Sequence, residues 1–148
     1  MSKKIEFPLA AAVSLVGILD SLYLTVKHVT GESVRCSVIK GCDLVLSSAY
    51  SQLWGVPLSF IGLAAYFTVF SLAILAAFGY YAAGRLLRYL VGFMLLATLW
   101  LVYVQLAKIH HFCQYCLISA GTTVILAALL LAAPLISRSS KPGQSNTD

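Results

Sequence analysis

Long apolar runs separated by short polar breaks carry the structural signal in this chain. A membrane-crossing helix needs ~20 mostly apolar residues. Four stretches meet that requirement, at about residues 7–26, 57–81, 89–108 and 112–136. The first is interrupted by Ser14, Asp20, Ser21 and Thr25, and the second lies in a charge-free interval between Asp43 and Arg85. The third sits between Arg88 and Lys108, and Leu117 to Ile136 of the fourth carries no charge. The pattern predicts an all-α membrane protein. A four-transmembrane-helix bundle occupies residues 1–137, and 138–148 form a polar, disordered cytoplasmic tail.

Only one connection is long, residues 27–56, punctuated by Gly31 and Gly41. Within it Leu46, Ala49, Tyr50 and Leu53 recur at helical spacing, so a short interfacial helix is expected over Leu44 to about Ser51, with Asp43 as its N-cap. Trp54-Gly55-Val56-Pro57 then turns the chain into the second span, with the Trp54 ring at the headgroup level. Gly79 to Arg88 is expected to make the inner turn between spans two and three. His110 to Phe112 is the short turn between spans three and four.

Composition narrows the class further. The chain is 60% hydrophobic and 10% charged, with a mean hydropathy of +0.91, which excludes an ordinary soluble domain. The net charge of +5 is scattered over termini and loops without a basic stripe, so nucleic acid is not a partner and the lipid bilayer is. The apolar run after Lys3-Lys4 is too long for most signal peptides and reads as a retained first helix. With the N-terminus inside, Lys3, Lys4, Arg85, Arg88, Arg138 and Lys141 are cytoplasmic, against Lys27, Arg35, Lys40 and Lys108 outside. That bias predicts a multi-pass cell-membrane protein with both termini cytoplasmic and the long loop extracytoplasmic.

Against this topology the four cysteines form two close pairs on one face, Cys36/Cys42 in the long loop and Cys113/Cys116 opening the last span. A C-x-x-C pair at a helix start sits where unsatisfied N–H groups favour a thiolate, the species that attacks disulfides. A zinc half-site or two inert cysteines would share that spacing. The wider loop pair reads as a structural staple or as a mobile shuttle disulfide. A mobile pair beside a fixed pair makes an electron relay by thiol–disulfide exchange.

The loop pair, Cys42-Asp-Leu-Val-Leu-Ser-Ser48, Trp54-Gly55-Val56-Pro57-Leu58 and the final C-x-x-C resemble the vitamin K epoxide reductase family, in its prokaryotic branch. The run Gly17 to Thr25 is similar to the family's first helix, and the resemblance covers about residues 14–120. It implies a four-helix bundle around a quinone (ubiquinone or menaquinone), with all four cysteines at the extracytoplasmic end. It further implies that electrons pass from a thioredoxin-like partner to Cys36 and Cys42, then to Cys113 and Cys116, then to the quinone. Cys113 would exchange with the loop and Cys116 would face the quinone. Ser48 matches a family serine or threonine beside the active site. Vertebrate members carry an asparagine four residues before the turn glycine and a tyrosine four after the last cysteine. Ser51 and Ala120 stand there in this chain, which favours a plain quinone over an epoxide. Many bacterial members carry a fused thioredoxin-like domain; with the sequence ending at Asp148, a separate DsbA-type partner is expected.

Other residues are candidates for support. Asp20, a carboxyl inside a membrane helix, should face the bundle or a wet cavity, for a structural hydrogen bond, proton supply or loop docking. His110 and His111 flank the C-x-x-C, and His111 could steady a thiolate, although exposed interfacial histidines fit as well. Phe112 and Tyr115, with Phe60, Tyr66 and Tyr103, are candidates to line a quinone pocket, and each could equally be packing or interfacial anchoring. No metal ligand set is predicted. The leading function is a quinone-linked thiol oxidoreductase supplying disulfides to exported proteins. A DsbB-like protein would share it, but there the C-x-x-C belongs to the first outer loop. Alternatives of other classes are a heavy-metal carrier or a structural membrane subunit stapled by its paired cysteines.

Overall fold

A computed structural model describes residues 3–132 apart from Arg35 and residues 38–40. The expected tail at 138–148 and the end of the fourth span lie outside the described residues. Four helices are long and apolar enough to cross a membrane: Ile5–Thr30, Leu58–Ala77, Tyr81–Ile109 and Gln114–Ala132. They belong to α1 (Lys3–Thr30), α3 (Leu58–Ala77), α4 (Tyr81–Val104, continued by a π turn at Gln105–Ile109) and α5 (Gln114–Ala127, continued by a π turn at Ala128–Ala132). The short α2 spans Cys42–Leu46. This is a helical membrane bundle.

In α1 the polar residues face inward. Ser14, Ser21 and Thr25 are buried, whereas Leu15, Val16, Leu19, Leu22 and Val26 are exposed on the faces available to lipid. Two of these hydroxyls are satisfied within the helix itself, Ser14 Oγ donating to Ala11 O at 2.7 Å and Thr25 Oγ1 to Ser21 O at 2.7 Å. Small polar groups satisfied in this way let helices approach closely where no water is available. Gly17 is such an approach. A Cβ there would collide with the Tyr66 ring of α3.

Helix α1 packs chiefly along α3 and also against α5, and α4 closes the square against α3 and α5. The apolar core gathers Ala10, Tyr66, Val69, Leu87, Val91 and Leu126. Tyr66 is the polar hub inside it: its hydroxyl lies 2.8 Å from Ser119 O, to which it donates, and 2.9 and 2.8 Å from the hydroxyls of Ser119 and Thr123 on α5.

Two connections differ from expectation. The turn between α3 and α4 is only Phe78–Tyr80, and Arg85 and Arg88 lie within α4. Gly79, at φ 99°, ends α3 with the N–H of Gly79 on Ala76 O and that of Tyr80 on Leu75 O, a glycine-terminated cap that reverses the chain at once. The loop helix is also shorter than expected. It stops after Leu46, and a single 3-10 turn follows at Ala49–Ser51. The hydroxyls of Ser47, Ser48 and Ser51 donate to carbonyls of Asp43, Val45 and Leu46, competing with helix continuation. Asp43 is not the cap of this helix, because Gly41 occupies that position. Its Oδ1 accepts the N–H of Val34 at 3.0 Å instead. A two-stranded hairpin, β1 (Gln52–Leu53) and β2 (Val56–Pro57), then leads into α3. Trp54 and Gly55 form its tip, both at positive φ, and Trp54 is 98% exposed.

Candidate functional site

The four cysteines meet in one packed cluster. Leu24, Val34, Cys42, Val45 and Cys113 form its buried centre, with Cys36, Leu46, Ile109, Tyr115 and Cys116 packed around them. Helix α1, the loop, α2, the π turn and α5 all contribute. Cys36 and Cys42 are joined by a disulfide with a Cα–Cα separation of 6.0 Å, and Cys113 and Cys116 are free thiols. An oxidised pair and a reduced pair therefore lie side by side. Cys42 and Cys113 are the fully buried members, and Cys36 and Cys116 are half-buried.

Local structure explains the position of Cys113. The π turn at Gln105–Ile109 ends at His110, whose φ of 54° breaks the helix. Phe112 carries the chain to Cys113, which has extended backbone at the N-cap of α5. Cys116 is then three residues into the first turn. A side chain at the N-cap faces the free N–H groups of the second and third helical residues. At Cys113 the thiolate is held by the Cys116 thiol first, and then by the N–H groups of Cys116 and Tyr115. Together these outweigh burial and lower its pKa to about 7.

Beside the cluster a cavity of about 620 Å³ opens among the helices. Its walls include Leu24, Leu58, Leu90, Met94 and Leu101, with Asp20, Gln105, Cys116, Ser119 and Thr123 among its polar lining. Cys116 lines it and Cys113 does not. Asp20 Oδ2 and Gln105 Oε1 are buried there without hydrogen-bond partners among the described residues. The size and mostly apolar walls suit a small aromatic ligand.

The remaining candidates separate into two groups. Asp20, Ser48, Ser51, Tyr66 and Ala120 line the cavity. Ser48 spends its proton on Val45 O at 2.7 Å, which leaves its lone pairs to accept. Phe112 is exposed, and Tyr115 packs on Tyr23 with centroids 5.1 Å apart; neither lines the cavity. Phe60 and Tyr103 are exposed on the helix surfaces. Trp54 stands outward at the hairpin tip. His111, exposed, lies over Gly41, where a Cβ would come 3.1 Å from the His111 Cβ. At the rim Lys27 pairs with Glu32, whose carboxyl is held below its usual range by that hydrogen bond and by the lysine charge.

Gln105 was missed by sequence reasoning. It is 6% exposed, and its side chain engages Cys116. The available signal was a lone amide inside an apolar run, of the same kind that singled out Asp20.

The profile of the vitamin K epoxide reductase family matches residues 8–131, which include all four cysteines. Thiol-disulfide oxidoreductase LTO1 of Arabidopsis thaliana is 33% identical over 112 residues, covering 70% of this chain. The matched stretch spans only 30% of that relative's length.

Proposed function

Because this chain belongs to the vitamin K epoxide reductase family, we propose that it is a membrane thiol–disulfide oxidoreductase feeding electrons from a partner protein to a quinone. The observation that carries the reading is the shared cluster: both cysteine pairs pack together, and only the Cys116 end opens on the cavity. The similarity to a thiol-disulfide oxidoreductase supports the same chemistry.

In this reading the cysteines face the extracytoplasmic side, and a separate thioredoxin-like, DsbA-type protein reduces the loop pair. Cys36, nearer the surface, meets that partner. The freed Cys42 thiolate then attacks Cys113 Sγ of an oxidised Cys113–Cys116 pair. A Cys42–Cys113 bond forms and Cys116 leaves as a thiolate. Cys36 attacks Cys42, restoring the loop disulfide and releasing Cys113. The reduced Cys113–Cys116 pair is then ready at the cavity wall. A bound quinone supplies the sink, taking two electrons and two protons. Asp20, Gln105, Ser48 and Ser119 line the space that would hold it. The partner, left oxidised, passes its disulfide to exported proteins. For a two-electron couple a rise of about 30 mV in reduction potential per step corresponds to about a tenfold bias, so modest steps make the flow one-way.

The test is turnover by the purified protein, with a reduced thioredoxin-like protein as donor and a soluble ubiquinone or menaquinone analogue as acceptor, following quinol formation by absorbance. Activity should vanish in Cys113→Ser and Cys116→Ser. No turnover with any donor–acceptor pair would overturn the reading.

A further inference from the structure

On the reading that the cavity receives a quinone, we propose that its polar end is built for the reduced, hydroxyl-bearing form of the ring, recognised by Asp20 and Gln105. Among the described residues three side-chain N or O atoms are buried with no hydrogen-bond partner: Asp20 Oδ2, Arg88 Nε and Gln105 Oε1. Two of the three belong to residues lining this one cavity. They come from different elements, Asp20 from α1 and Gln105 from the π turn after α4. Gln105 also engages Cys116, which places it at the redox end of the cavity. The Tyr66, Ser119 and Thr123 hydroxyls nearby are already bonded to one another.

Both unpartnered atoms are oxygens, one of a carboxylate and one of an amide carbonyl, so the ligand that satisfies them must donate. Quinone oxygens only accept. Hydroquinone hydroxyls donate. Burial without a partner makes such atoms strong discriminators, since the wrong ligand leaves them unpaired. The electron count fits this choice. Closing the Cys113–Cys116 disulfide releases two electrons and two protons, and two carbonyl oxygens become two hydroxyls. The acceptor atoms thus engage groups that exist only after the electrons have moved, and binding of that kind favours reaction over mere occupancy. Tighter holding of the reduced ring also raises the potential of the bound couple and draws electrons from the thiols.

The experiment uses the full chain in detergent with Cys113→Ser and Cys116→Ser, which blocks electron transfer. Menadione and menadiol are titrated anaerobically by calorimetry. Menadiol should bind about tenfold more tightly. Asp20→Leu and Gln105→Leu, each added separately, should each shrink that preference severalfold. A cooperative melting transition within a few degrees of the parent's shows that these variants fold. Equal binding of the two forms, or a preference untouched by both substitutions, would overturn this inference and leave the quinone reading standing. Binding of neither form would overturn both.

Discussion

Asp43 Oδ1 accepts the backbone N–H of Val34 at 3.0 Å, joining the strand of loop before Cys36 to the helix that begins at Cys42. The disulfide and this hydrogen bond close the same short loop from its two ends. Val34 and Cys42 thereby reach the buried cluster that contains Cys113. Asp43→Ala should therefore loosen the loop while leaving the four long helices intact. A hydrogen bond to a charged group is worth ~1.5–3 kcal/mol. Amide exchange at Val34 should rise by about tenfold or more, and exchange between the two cysteine pairs should slow. Asp43→Asn should retain most of the protection, because its carbonyl oxygen can still accept. Unchanged exchange at Val34 in Asp43→Ala would count against the tie.

The second prediction concerns pH. The Cys113 pKa is lowered to about 7, with the Cys116 thiol as the largest cause. A lowered thiol pKa means that the thiolate fraction grows as pH rises through about 7 and saturates above it. The rate of Cys113 alkylation in the reduced protein should follow that curve, low at acid pH and level on the alkaline side. In Cys116→Ala the midpoint should move upward toward the ordinary thiol value of ~8.5, because the largest of the lowering contacts is gone while burial remains. Mass spectrometry of the labelled Cys113 peptide gives the profile. A midpoint that does not respond to Cys116→Ala would remove the thiol–thiolate contact as its cause.

Packing makes the third prediction. A methyl group at Gly17 would collide with the Tyr66 ring, whose hydroxyl is anchored on Ser119 and Thr123 and cannot swing away without losing those bonds. Overpacking of this kind costs ~1–3 kcal/mol. Gly17→Ala should lower the melting temperature in detergent by several degrees and distort the cavity that Tyr66 helps to line. Gly92→Ala is the control: a Cβ there meets nothing within 4 Å. It should be neutral, or slightly stabilising through helix propensity. Equal melting temperatures for both variants would contradict the close approach of α1 to α3.

The four spans were legible because a bilayer imposes length and apolarity on each helix separately. The meeting of the two cysteine pairs was legible for a similar reason, since each pair is close in sequence and the short turn before Cys113 ties the second pair to one end of the bundle. What escaped were features set by competition or by tertiary contact. Asp43 looks like an N-cap from its position, but Val34 offered it a partner across the loop. The serines at 47, 48 and 51 turned a helix of the right periodicity into two short turns. Arg85 and Arg88 looked like a loop because they are charged, yet the glycine cap at Gly79 had already reversed the chain. Tyr66 was already a pocket candidate, but Gln105 joins it in one cavity only because α3, α4 and α5 converge there, which no local pattern records.

The contact between Gly41 and His111 supports the last prediction. Gly41 has φ 131°, a conformation that side chains other than glycine's rarely adopt, and a Cβ there would lie 3.1 Å from the His111 Cβ. Gly41 immediately precedes Cys42, and His111 precedes Cys113 by two residues, so this contact sets the two cysteine-bearing segments against each other. Gly41→Ala faces two penalties, backbone strain of ~1–3 kcal/mol and the crowded imidazole. The interpair exchange rate, measured by quenched labelling of the reduced protein, should fall by about tenfold or more. Pairing it with His111→Gly separates the two causes. Removing the whole side chain, Cβ included, relieves the crowding and leaves the φ strain, so the double variant should recover only part of the lost rate. Full recovery would make the backbone conformation at Gly41 irrelevant. No recovery would mean that crowding against His111 is not a cause of the loss.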